Sequence, residues 1–191
     1  MKRPIVAKVG GSLLDLPDLR ERLQAWMMQQ GERSILLVPG GGPAADVIRR
    51  LDAIHQLGEE KSHWLAIRML SVNAHFLSDL LHLSVVSSPQ LHFGEGGEMK
   101  VAILDPYPFC KDDGILEHSW RVTSDSIAAR IAIEHGADLT LLKSVELLAE
   151  TTWQAAAESG LVDDVFPGLV EKSGLNVTWV NLRRLEVKPR Q

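Results

Sequence analysis

A lysine, two glycines and a serine stand close together in Lys8-Val9-Gly10-Gly11-Ser12. Adjacent glycines let a backbone bend tightly and bring bare N–H groups close to a ligand. Such donors, fanned around a turn, make an anion-binding nest. Lys8 adds a formal positive charge just upstream. This is not the P-loop order, in which the lysine follows the last glycine, nor is it Gly-x-Gly-x-x-Gly. The chemistry it suits is holding the terminal phosphates of a nucleotide. Alone it is only a turn, and two further stretches give it weight. Gly40-Gly41-Gly42 is a second glycine run. Thr123-Ser124-Asp125 sets a carboxylate behind two residues of N-cap type, and Lys143-Ser144 ends a later apolar run. No Ser–His or Cys–His arrangement stands out for covalent catalysis. His63, His75 and His82 lack metal-ligand spacing and read as ordinary core or surface histidines. Asp112-Asp113 reads as a solvated turn.

These groups need elements to position them. Ile5 to Val9 is β-branched and apolar except for Lys8, which suits a buried parallel strand. Leu13 to Gln30 has helical spacing, with Pro17 near its start and Gly31 as a C-terminal cap. Ser34 to Val38 is a second strand, and it runs into the second glycine turn. The following helix is expected to bury Val47, Ile48, Leu51 and Ile54. Glu59 to Leu83 carries the longest helical pattern, with Leu65, Met69, Val72, Phe76 and Leu80 as its apolar stripe. That stripe reads as core, with a subunit interface as the alternative. Residues 87–97 are turn-rich, 100–104 look like a strand, and 105–118 show no regular pattern. A helix from Ser124 to Gly136 and a strand Leu139 to Leu142 follow. Glu146 to Glu150 looks helical. A helix from near Thr151 to Gly160, a helix Pro167 to Lys172 and a strand Asn176 to Val180 close the pattern before a basic tail with Lys188 and Arg190.

Strand, glycine loop and helix repeated in this order predict an α/β fold with a parallel sheet. Ligands in such sheets bind at the carboxyl ends of the strands. A strand that leaves a helix returns to that helix's amino end, so Asp125 and Lys143 are expected to meet at the sheet edge that carries Lys8.

The 191 residues suit a single domain spanning 1–191 with one sizeable core. A net charge of −5 argues against a nucleic-acid surface. No apolar run approaches the roughly 20 residues that span a bilayer. Cys110, the one cysteine, permits no internal disulfide and fits a reducing compartment, so a cytoplasmic protein is expected.

Four stretches in order carry a resemblance: Lys8-Val9-Gly10-Gly11-Ser12, Val38-Pro39-Gly40-Gly41-Gly42, Thr123-Ser124-Asp125-Ser126-Ile127-Ala128-Ala129 and Gly136-Ala137-Asp138-Leu139-Thr140-Leu141-Leu142-Lys143. Together they resemble the amino acid kinase superfamily. Short length, His118-Ser119-Trp120 and Leu142-Lys143-Ser144-Val145 are most similar to its small kinases of methanofuran biosynthesis, which phosphorylate an aminomethylfuran methyl phosphate. The resemblance implies a three-layer αβα sandwich with a mainly parallel central sheet. It implies an ATP-dependent kinase acting on a small phosphate monoester or carboxylate, with Mg²⁺ carried on the nucleotide phosphates and no metal site of the protein's own. Lys8 would contact the phosphoryl group in flight, and Gly10 and Gly11 would give it N–H donors, with Ser12 beside them. Gly40, Gly41, Gly42, Thr123 and Ser124 would line the acceptor side. Asp125 would hold the cationic side chains, and Lys143 with Ser144 would serve the nucleotide side. A homodimer or higher homo-oligomer, paired through the long helix, is also implied. The chain departs from the family after Val145, where relatives carry an Asp-Gly turn. That departure supports a competing function, a protein that binds a nucleotide or oxyanion without turnover.

Overall fold

The computed structural model describes residues 2–89 and 101–186. The expected turns over 90–97, the start of the strand at Lys100, and the tail residues Lys188 and Arg190 lie outside them.

The strands are β1 (Ile5–Val9), β2 (Ile35–Pro39), β3 (Val85–Val86), β4 (Val101–Leu104), β5 (Asp138–Lys143) and β6 (Val177–Asn181). The described strands form one sheet in the order β3-β4-β2-β1-β5-β6, and every neighbouring pair is parallel. Helices are α1 (Leu19–Gln29), α2 (Gly42–His55), α3 (Glu59–Leu81), α4 (Pro106–Asp113), α5 (Ser124–Glu134), α6 (Trp153–Glu158) and α7 (Phe166–Ser173).

Strand alternation builds two cores. Val6, Leu36, Val38, Leu139 and Leu141 face one side with Ile127 and Ile131 of α5 and Phe166 of α7. Ile5, Ala7, Val9, Leu37 and Leu142 face the other with Leu23 and Trp26 of α1 and Leu77 of α3. Both sheet faces are therefore covered, as parallel sheets require. Lys8 shares the side of Val6, and Lys143 shares that of Leu139 and Leu141. In register, Lys8 lies beside Leu141. Both lysines thus point to the α5 side at the carboxyl edge.

The structure departs from the sequence reading in several places. α1 begins at Leu19, because Gly11–Leu13 forms a 3-10 turn and Pro17 holds Leu16 out of the helical region. On α2 only Ala45 and Ile48 are buried; Val47, Leu51 and Ile54 are exposed. On α3 the buried stripe is Ala66, Ile67, Leu70, Ala74, Leu77 and Leu81, while Leu65, Val72 and Phe76 are exposed. Two apolar stripes compete on that helix, and the one that carries Ile67, Leu70, Leu77 and Leu81 is the one that is buried. Residues 106–113 form α4 rather than an irregular loop, started by Asp105, whose carboxylate accepts the Tyr107 N–H. Asp113 is no solvated turn residue: its side chain is buried and pairs with Arg130 at 2.9 Å. Glu146 to Glu150 is not helical, and Glu150 adopts a left-handed φ of 68°. No described helix is long and apolar enough to cross a membrane.

Candidate active site

Three charged side chains meet at the carboxyl edge of β1 and β5. Lys8 Nζ lies 3.0 Å from Asp125 Oδ1, and Lys143 Nζ lies 2.9 Å from Asp125 Oδ2. One carboxylate thus holds two ammonium groups, each through its own oxygen. All three residues are below 10% exposed. Lys143 also donates to the Leu161 carbonyl at 2.6 Å, and its ammonium lies 5.3 Å from the Trp179 ring. Burial opposes ionisation of Asp125, but Lys8 and Lys143 outweigh it and hold its carboxyl below the usual range. Burial and the neighbouring Lys8 push Lys143 down to about 8, against the pull of Asp125. Two ammonium groups sharing one carboxylate keep positive charge at the cavity floor, which suits a polyanion.

Asp125 stands in the first turn of α5, but its neighbours do not cap that helix themselves. Asp163 does so from a distant loop. It accepts the N–H and hydroxyl of Thr123 and the N–H of Ser126, and its other oxygen takes the Ser126 hydroxyl and the Phe166 N–H. Burial, then the Asp125 charge, push Asp163 upward in pKa, and these donors work against that push. Asp163 therefore fixes the turn that aims Asp125.

The two glycine loops touch each other. A Cβ on Gly11 would lie 2.1 Å from the Gly42 nitrogen, and one on Gly40 would lie 2.5 Å from the Gly11 nitrogen. Gly42 itself has a left-handed φ of 52°. Backbone approaching backbone, rather than ligand alone, explains why so many glycines gather here. Asn73 of α3 donates to the Gly40 and Gly41 carbonyls at 2.7 and 2.9 Å and so pins the second loop. The N–H of Gly10 is not a free donor: it is given to the Leu142 carbonyl at 2.8 Å, and that of Gly40 to Val9.

A cavity of about 350 Å³ opens over this ground. Lys8, Gly11, Ser12, Gly41, Gly42, Thr123, Ser124, Asp125 and Lys143 of the expected site line it, whereas Gly10, Gly40 and Ser144 do not. Ser144 is tied to Ser12 through a 2.8 Å hydroxyl–hydroxyl hydrogen bond. His63 is a buried histidine, as a core position allows, and it stands on the cavity wall with Nδ1 3.0 Å from the Ser119 carbonyl. Sequence reasoning passed over Asn73, Asp163 and His63. Their partners lie 32 to 56 residues away, and no local spacing marks such contacts.

The sequence profile described as the amino acid kinase family matches residues 3–149. The chain belongs to the amino acid kinase family. The [5-(aminomethyl)furan-3-yl]methyl phosphate kinase of Methanocaldococcus jannaschii is 30% identical over 127 residues. That match takes in 66% of this chain and 58% of the relative, so the chain spans little more than half of that protein's length. Among solved structures, uridylate kinase from Archaeoglobus fulgidus superposes with a TM-score of 0.64 at 16% identity, over 93% of this chain and 90% of that one. UMP kinase from Bacillus anthracis gives 0.68 at 13% identity, over 95% and 88%. Both share the fold: helices on either side of a parallel sheet.

Proposed function

We propose that this chain is an ATP-dependent phosphotransferase acting on a small phosphate monoester. An oxygen of the acceptor's phosphate attacks the γ-phosphorus of ATP. The bond from that phosphorus to the β,γ-bridging oxygen breaks, ADP leaves, and the acceptor becomes a diphosphate. The observation that carries this reading is the pair of lysines clamped on one buried carboxylate beneath a glycine-walled cavity. Phosphoryl transfer asks for positioning and charge neutralisation rather than a covalent catalyst. An ammonium 4 Å from a unit phosphate charge contributes roughly 4 kcal/mol at an effective dielectric of about 20. Lys8, on the central strand, is the group that follows the phosphoryl oxygens. Lys143, beside Ser12 and Ser144, serves the nucleotide. Gly41, Gly42, Thr123 and Ser124 line the acceptor side.

The 30% identical relative is a kinase of a phosphate monoester, which favours that class over a carboxylate. Its named substrate, [5-(aminomethyl)furan-3-yl]methyl phosphate, is the first acceptor to try. Both Asp125 oxygens are engaged by lysines. Among the described residues, no group of three His, Cys, Asp or Glu side chains is placed to hold a metal ion. Mg²⁺ would arrive on the phosphate oxygens of the nucleotide, as an ion that keeps most of its waters. We place the protein in the cytoplasm as one domain. We pair two copies through the exposed Leu65, Val72 and Phe76 stripe of α3.

The test is ADP formation on adding that phosphate monoester to enzyme, ATP and Mg²⁺. The reading predicts turnover that depends on the acceptor. ATP consumption unchanged by phosphate monoesters and carboxylates alike would leave a nucleotide-binding protein without turnover.

A further inference from the structure

Away from the lysines, the cavity wall is built by Arg49 of α2, His63 of α3 and Trp120 of the segment that leads to α5. The guanidinium of Arg49 lies 5.0 Å from the centre of the Trp120 ring. Its Nη1 donates to Asp46 Oδ1 at 2.8 Å. The Trp120 Nε1–H donates to Asp52 Oδ2 at 2.9 Å. Asp46, Arg49 and Asp52 are three residues apart in turn, so they form one stripe of α2. The tryptophan is held from the other side as well. A carbonyl only accepts, so His63 Nδ1 carries the proton it gives to Ser119, next to Trp120. Burial pushes the His63 pKa down, against the hydrogen bond to Ser119.

Arg49, half-exposed at the cavity wall, thus lies between a ring and a carboxylate. Among the described residues its ion pair uses Nη1, which leaves Nε and Nη2 for a ligand. Charge supplies the second argument. Donor and acceptor phosphates in one cavity bring several negative charges together. Lys8 and Lys143 already share Asp125. Among the described residues that line the cavity, Arg49 is the remaining permanent cation. It stands on the helix that begins at Gly42, beside the acceptor loop. Arginine binds the oxygens of a phosphate in a planar, two-pronged manner.

We propose that Arg49, stacked on Trp120, is the specificity residue that grips the acceptor's own phosphate, with His63 positioning the segment that carries Trp120. The assignment rests on the phosphate-monoester reading given above and selects such acceptors over their alcohols. It is tested by calorimetric binding of [5-(aminomethyl)furan-3-yl]methyl phosphate, without nucleotide, to wild type, Arg49→Gln and Arg49→Lys. ATP binding to each protein is the check on folding. Arg49→Gln is expected to weaken the ester about 10–100-fold, the loss of a charge-assisted contact, with the ATP Kd within about twofold of wild type. Arg49→Lys is expected to recover part of the loss. Ester affinity unchanged in Arg49→Gln would overturn the assignment. So would equal loss of ester and ATP, or no ester binding by wild type. Ester binding that depends on Arg49 without any ADP formation would instead sink the kinase reading and leave the anion site standing.

Discussion

At the scale of residues, the site turns on one carboxylate shared by two lysines. Asp125→Asn removes the charge that both ammonium groups face inside the protein. Breaking a buried pair by deleting one partner costs about 3–5 kcal/mol. The expected outcome is a fall in Tm on the order of 10 °C for a chain of this size, read by thermal denaturation, together with lost turnover. Lys143 gives a pH signature. It is charged below about 8 and neutral above, and only the charged form attracts phosphate. Nucleotide affinity of the free protein is therefore expected to decline as pH rises through about 8. Lys143→Met is expected to bind weakly at every pH and to lose that limb, as titrations from pH 6.5 to 9.5 would show. That Lys8, Asp125 and Lys143 meet was legible in the sequence, because the two lysines end strands and Asp125 starts the helix between those strands, which brings all three to one sheet edge. Arg49, His63 and Asn73 were not, since each acquires its role from a partner on another element.

At the scale of elements, the glycine loops act as one unit because they touch. Gly11→Ala would drive a methyl group into the backbone of Gly42, 2.1 Å away. Overpacking of this kind costs about 1–3 kcal/mol, and here it also pushes apart the two walls of the cavity. The expected result is a destabilised protein with little activity, seen by urea denaturation and ADP assay. Gly168 in α7 is the control: nothing lies within 4 Å of a Cβ built there. Gly168→Ala is expected to be stabilising by about 0.5–1 kcal/mol with activity unchanged. Apart from α4 and the stretch 146–150, the order of strands and helices could be read from the chain because each carries its own period. The burial of α2 and α3 could not. Leu65, Val72 and Phe76 make one apolar stripe of α3, and Ile67, Leu70, Leu77 and Leu81 with Ala66 and Ala74 make another, so hydropathy does not choose between them; the packing of the helix on the sheet does.

At the scale of the whole molecule, the same exposed residues have a consequence. Val72 and Phe76 of α3 are 56% and 44% exposed, and Met69 and Leu65 lie one and two turns before Val72 on the same stripe. The pairing proposed above would bury this stripe. Phe76→Asp, alone or with Val72→Asp, is expected to convert a dimer to monomer by light scattering while leaving the far-UV spectrum unchanged. A wild-type chain that is monomeric at every concentration would remove the pairing. The measurement that bears most directly on the site is acceptor-dependent ADP formation by wild type and Lys8→Ala at saturating ATP. A fall of about 10²–10³ or more in kcat, with the melting curve still cooperative, is expected for a group that neutralises charge in the transition state. Wild-type turnover by a folded Lys8→Ala protein would contradict it.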